Sequence, residues 1–190
     1  TDMPVLVTLN EQNGHYTPGY YLRASQLNGD FNESNNPEWK TIVIDEHSGD
    51  LAAPKGSIGF RWGEKGKWNL KAEDSTGKEV QAQLSLIAQH DETVDVAFDY
   101  FGGKDASDVM VRKVPVKKIQ LADGSSCYVA TVFDLSVANY GLDRGLGGGN
   151  VASSYEDDVP YTPKWQEKHT GVPAAKVIQV AREFAQNAHD

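Results

Sequence analysis

The side chains best suited to metal ligation or nucleophilic chemistry in this 190-residue chain are five histidines and one thiol. They are His15, His47, His90, His169, His189 and Cys127. No two histidines stand at metal-ligand spacing, and each sits among polar neighbours, which predicts solvated imidazoles. With a single cysteine, this chain can assemble no intrachain disulfide, no Cys-rich zinc site and no iron–sulfur cluster. Ser126-Cys127-Tyr128-Val129 reads as a strand, so Cys127 is expected to be a packed, inert thiol with nothing nearby to depress its pKa. The acidic run Glu156-Asp157-Asp158 could hold a hard cation. It lacks calcium-loop spacing, however, and reads as a loop ahead of a helix. Neither a nucleophile elbow, nor a Ser-His-Asp candidate, nor a paired-carboxylate pattern stands out. No catalytic, metal-binding or cofactor-binding residue is assigned.

Two glycine-rich stretches could in principle cradle phosphate. Residues 56–68 carry four glycines with Trp62 and Trp68, but the Lys-Ser/Thr that opens a phosphate-loop helix is missing. A loop pinned by its two tryptophans on a sheet is the expectation. The run Gly145-Leu146-Gly147-Gly148-Gly149 has dinucleotide-fingerprint character only superficially, because it follows a helix-like segment rather than a strand.

The elements that would position these residues are mostly strands. Residues 3–9 are β-rich and lead into a turn cluster at Asn10 to Gly14. Residues 16–22 are expected to return as a strand interrupted by a turn at Pro18-Gly19. Residues 28–37 are almost wholly polar and read as a loop. The β-branched run at 41–45 should form a hairpin with residues 51–53. Residues 80–87 alternate, with Val80, Ala82, Leu84 and Leu86 on one face, which predicts a half-buried strand. Residues 93–98 alternate likewise, with Val94, Val96 and Phe98 inward. Residues 116–121 and 126–132 flank Asp123-Gly124, a hairpin turn with positive-φ positions.

After Asp134 the pattern becomes helical. Residues 135–140 form a short helix stopped by Gly141. Thr162-Pro163 opens a helix that Gly171 ends. Pro173 opens a second, with Thr170 a candidate cap and with Val177, Ile178, Ala181, Phe184, Ala185 and Ala188 on a stripe expected to be buried. The fold class is therefore α+β: a β-rich mixed domain with hairpins, followed by two C-terminal helices. The division expected is 1–134, β-rich, and 135–190, the glycine-rich loop and helices.

Composition narrows the function classes. Hydrophobic residues make up 39% and charged residues 24%, the balance of an ordinary globular protein rather than a disordered one. No apolar run approaches the roughly 18 residues of a membrane-spanning helix, so direct membrane insertion is not expected. The 18 basic and 27 acidic residues leave a net charge of -9. That charge repels phosphate backbones and anionic lipid, so nucleic acid is not an expected partner. The chain begins at Thr1 with no basic-then-apolar leader, which suggests a removed leader or a piece cut from a longer polypeptide.

Several blocks carry a resemblance: 36–41 (Asn-Pro-Glu-Trp-Lys-Thr), 56–70, 113–117 (Lys-Val-Pro-Val-Lys), 121–125 and 138–146 (Ala-Asn-Tyr-Gly-Leu-Asp-Arg-Gly-Leu). They resemble, in matching order, the catalytic alpha subunit of the membrane-bound respiratory nitrate reductases. Residues 161–165 and 170–185 resemble the same subunit and also the wider molybdopterin oxidoreductase superfamily. The block at 56–70 is the most specific.

The resemblance implies an interior fragment of a subunit several times longer. The implied parent reduces nitrate to nitrite with two electrons in anaerobic respiration, using a molybdenum bis-molybdopterin guanine dinucleotide cofactor and a 4Fe-4S cluster. Its implied partners are the remainder of the alpha subunit, an iron–sulfur beta subunit and a membrane haem gamma subunit. Its implied location is the cytoplasmic face of the prokaryotic cell membrane. The cluster motif and the molybdenum-ligating Asp belong N-terminal to the matched region, and much of the cofactor domain belongs C-terminal to it. Residues 1–134 would be a family-specific insertion, and 135–190 would lead toward that cofactor domain. Asp2 and Asp134 do not sit in the metal-ligand motif, so neither is assigned, and the isolated chain is expected to be inactive. Two alternatives stay open: an independent non-catalytic binding module, and the same segment of a related chlorate, perchlorate or selenate reductase.

Overall fold

The computed structural model describes residues 2–31, 36–55, 72–100, 102 and 108–189. The glycine- and tryptophan-rich block at 56–70 lies outside the described residues. Nine strands come first: β1 Leu6–Gln12, β2 His15–Tyr21, β3 Val43–Ile44, β4 Leu51–Ala52, β5 Ala72–Glu73, β6 Glu79–Val80, β7 Glu92–Asp99, β8 Val109–Gln120 and β9 Ser126–Thr131. Three helices follow: α1 Val132–Tyr140, α2 Pro163–Thr170 and α3 Ala174–His189. Strands followed by helices give the α+β class the sequence predicts. The chain divides into two compact units, Thr1–Val94 with Pro115–Leu135, and Asp95–Val114 with Ser136–Asp190.

Strands β1-β2-β7-β8-β9 close into a barrel in that order, so none of these five is an open edge. The β1–β2 hairpin turns at Asn13 (φ 54°) and Gly14 (φ 82°), the paired positive-φ geometry of a two-residue turn. The break expected at Pro18-Gly19 is absent. Strand β2 instead runs through it, and Pro18 pairs with Leu9. One extra residue of β2 is accommodated as a bulge, where Thr8 Oγ1 donates to the Tyr20 carbonyl (3.1 Å) and accepts from the Tyr20 amide (3.2 Å). Gly19 is required there, since a Cβ would lie 2.7 Å from Thr8 Oγ1.

The core of this first unit gathers Leu6, Leu22, Ala24, Leu27, Ile42, Ile44, Leu86, Ile119 and Val129. Strands β3 and β4 pair as the predicted hairpin. Asp45, buried at 3% exposure, organises its turn and the next segment together. Its carboxylate accepts from Ser48 Oγ (2.9 Å) and from the Gln81 amide (3.1 Å). Burial opposes ionisation of this carboxyl. The Gln81 and Ser48 hydrogen bonds and the Lys78 charge outweigh that and hold it below the usual carboxylate range.

Two sequence expectations are corrected here. Beyond β6, residues 81–87 are irregular rather than a strand: Gln83 is buried and Leu84 is 47% exposed. The Gln83 amide donates to the Ile44 carbonyl in an isolated antiparallel bridge between Asp45 and Ala82, but the Leu86 amide donates to a side chain, so the pairing goes no further. At the β8–β9 turn only Gly124 takes positive φ (84°). Its amide donates to the Leu121 carbonyl and Leu121 bonds back to Ser125, a three-residue loop closed by a glycine bulge. By contrast, β7 alternates as predicted, with Val94, Val96 and Phe98 buried.

In the second unit, Thr162 caps α2 by accepting from the Trp165 amide (3.0 Å), and Gly171 ends it in the left-handed conformation, both as predicted. Thr170 serves α2 rather than α3, since its hydroxyl donates to the Gln166 carbonyl. The stripe expected to be buried along α3 is largely uncovered. Ala174 is buried, Val177 and Ile178 are half-buried, and Ala181, Phe184, Ala185 and Ala188 are exposed.

Candidate functional site

The polar groups most deeply buried in each unit are not among those sequence spacing singles out. In the first unit, α1 starts without a connecting loop after β9, and Thr131 caps it by accepting from the Asp134 amide (3.0 Å). Asp134 is fully buried, and its carboxylate accepts from Ser85 Oγ (2.7 Å), the Leu86 amide (2.8 Å) and Thr131 Oγ1 (2.9 Å). Three donors thus converge on this side chain at the first turn of α1. The same bonds occupy the lone pairs a metal would need, so the carboxylate ties the irregular 81–87 segment to α1. Asp2, exposed, takes no part in this cluster.

In the second unit the buried charge is Arg112, only 1% exposed. Its Nε donates to the Asn150 carbonyl (3.1 Å), its Nη1 to the Asn139 carbonyl (2.7 Å), and the guanidinium lies 5.7 Å over the Tyr161 ring. Burial pushes Arg112 below its ordinary pKa, with Tyr161 opposing. The side chain clamps the end of α1 to the loop preceding α2. Gly141 (φ 72°) makes room for it, since a Cβ there would stand 2.6 Å from Nη2. Beside Arg112, Lys113, Arg144 and Gly147 line a cavity of about 10 Å³. That holds about one water, which is too little for a phosphate at the 145–149 glycine run.

The predicted candidates fall apart in space. His47 and His169 are exposed, and His169 packs against Trp165 with ring centroids 4.2 Å apart. His15 and His90 are half-buried, which corrects the expectation of solvated imidazoles there. His90 Nδ1 lies 2.9 Å from the Ile87 carbonyl. The His189 side chain lies outside the description. Cys127 sits in β9 as expected, and burial pushes its thiol up, assisted by Asp123. Asp157 accepts from the amides of Ser153 and Ser154 (3.0 Å each), and Asp158 pairs with Lys168. Two of the three carboxylates of the acidic run thus serve loop and helix contacts. Among the described residues, no group of three or more His, Cys, Asp or Glu side chains is disposed to hold a metal. With one cysteine in the whole sequence, a thiolate-held iron–sulfur cluster does not fit this chain.

What the second unit does offer is apolar surface. Val137, Tyr140, Leu142, Tyr155 and Pro163 help line an open groove of about 610 Å³. Tyr140, Leu142 and Tyr155 are each more than half exposed. Among the described residues no helix is long and apolar enough to cross a membrane.

No protein-family profile matches the chain, but individual relatives do, along all of it. It is 51% identical over 197 residues to the respiratory nitrate reductase 1 alpha chain of Escherichia coli K12, covering 99% of this chain and 16% of that one. It is 49% identical over 198 residues to the respiratory nitrate reductase 2 alpha chain of the same organism, covering 100% and 16%. Against the nitrate reductase alpha chain of Bacillus subtilis 168 it is 42% identical over 191 residues, covering 100% and 15%. The chain therefore spans about one-sixth of the length of these relatives. Identity at this level from one end of the chain to the other makes it a segment of the respiratory nitrate reductase alpha-chain family.

Proposed function

We propose that the chain is a structural, non-catalytic segment of a molybdenum-dependent nitrate reductase subunit, whose whole polypeptide reduces nitrate to nitrite in anaerobic respiration. The observation that carries this reading is the 42–51% identity across the entire chain to alpha chains some six times longer. Under this reading the chemistry resides in other parts of the parent. In that parent, residues 1–134 serve as a β-rich insertion and residues 135–190 lead toward the cofactor domain. Molybdenum bis-molybdopterin guanine dinucleotide and a 4Fe-4S cluster are held by those other parts. An iron–sulfur beta subunit and a membrane haem gamma subunit complete the complex at the cytoplasmic face of the membrane.

The test has two arms. The reading frame around this segment should encode an alpha chain with a cluster-binding motif, and its absence would refute the assignment. The purified 190-residue chain should contain no molybdenum by elemental analysis and show no nitrate reduction with a reduced viologen. Stoichiometric molybdenum with turnover would show that the segment is an enzyme by itself.

A further inference from the structure

We infer that the uncovered apolar arc of α3 is the face on which another part of the same alpha polypeptide packs. This rests on the reading just given and names the partner: an apolar surface within the parent chain, not a separate subunit and not a second copy.

At about 100° per residue, Val177, Val180, Ala181, Phe184, Ala185 and Ala188 fall within an arc of roughly 140° on α3. Phe184 is 77% exposed and Val180 53%, and Ala181, Ala185 and Ala188 are exposed between them. Three alanines beside one large aromatic let a neighbouring backbone approach closely while Phe184 inserts as the anchor. The opposite arc is already satisfied. Lys176 donates to Gln179 (3.3 Å), and Gln179 donates to Glu183 (2.7 Å) along the helix. That polar ladder belongs in water, and the apolar arc does not. A globular helix with this pattern faces a core, and α3 has a core only at its first turns, around Ala174. The occupant follows from length. The relatives match 99–100% of this chain, α3 included, yet the match spans only 15–16% of each of the first three of them. The other five-sixths of the parent is the nearest source of an apolar partner.

The experiment uses the full-length alpha chain whose gene contains this segment, purified without other subunits. Cysteine is introduced singly at Phe184→Cys or, on the polar arc, at Glu183→Cys, and maleimide labelling is read by mass spectrometry on the peptide carrying that position. Phe184→Cys should react at least tenfold more slowly than Glu183→Cys. Ala181→Cys, which disturbs the arc least, reports the same face should Phe184→Cys fail to accumulate. Equal rates on the two arcs would overturn the inference. Protection that appears only when other subunits are added would also overturn it, while leaving the proposed function intact. Protection that rises with the concentration of the alpha chain would point to a second copy and overturn it too. A reading frame encoding no alpha chain refutes the proposed function, and the inference falls with it.

Discussion

Replacing Asp134 with Ala isolates the buried carboxylate that joins α1 to the 81–87 segment. The Leu86 amide, fully buried, loses its acceptor, which costs about 1–3 kcal/mol. The Thr131 hydroxyl loses its acceptor as well, for about 1 kcal/mol more. The expected sum is about 3 kcal/mol, a large share of the roughly 5–15 kcal/mol a domain possesses. For a chain of this size that lowers Tm by about 6–12 °C. Circular dichroism melts and urea midpoints of the wild type and variant measure it. Asp134→Asn is the informative comparison, because its amide oxygen can still receive the Leu86 N–H. It should lose roughly half as much. A loss within about 0.5 kcal/mol for Asp134→Ala would refute the reasoning, since surface positions behave that way. An Asn variant as damaged as the Ala variant would show that charge, not hydrogen-bond acceptance, is what the site requires.

Two glycines with similar φ should respond unequally. Gly124→Ala, with no atom within 4 Å of the new Cβ, should cost about 1 kcal/mol from its φ alone. Gly141→Ala must also displace the Arg112 guanidinium and should cost about 3 kcal/mol; equal losses in chemical denaturation would contradict the clamp. Asp45 has a folded pKa below the ordinary carboxylate value, so its stabilisation is present above about pH 4 and is lost as pH falls through the folded pKa. Asp45→Asn should therefore flatten the fall in stability between about pH 4 and pH 2, and an unchanged acid profile would count against the Ser48 and Gln81 bonds.

The parts of the fold that read correctly from sequence are those where local chemistry and burial agree. Thr162-Pro163 and Gly171 bracket α2 because capping needs only a hydroxyl, a fixed φ and a missing Cβ. Strand β7 reads correctly because Val94, Val96 and Phe98 alternate with exposed or half-buried neighbours and are all buried. Residues 80–87 mislead because their alternation is local, while the bond that decides the segment is the non-local one from the Leu86 amide to Asp134. A signal for that site was present in Thr131-x-x-Asp134, the pattern of a helix capping box ahead of an apolar run. Arg112 was legible too, as a charged residue set between Met110, Val114 and Val116 at their inward parity on β8. Neither could be seen by looking for catalytic spacing, because each serves the fold.

The α3 stripe separates two things that periodicity is usually taken to say at once. Val177, Ala181, Phe184 and Ala188 at helical spacing state that this helix has an apolar face, and it does. They do not state that the face is covered by residues of these 190. Covering a face needs apolar area opposite it, and only Ala174 and its nearest neighbours have that here. A chain with a complete core of its own would have little reason to keep Phe184 three-quarters exposed beside three alanines, since burying such a ring stabilises by about 1.5–3 kcal/mol. The first unit, by contrast, buries Leu6, Leu22, Ile42, Leu86 and Val129 in one cluster. Burial in the first unit is thus met by its own residues, whereas the apolar arc of α3 is the surface left for a partner to cover.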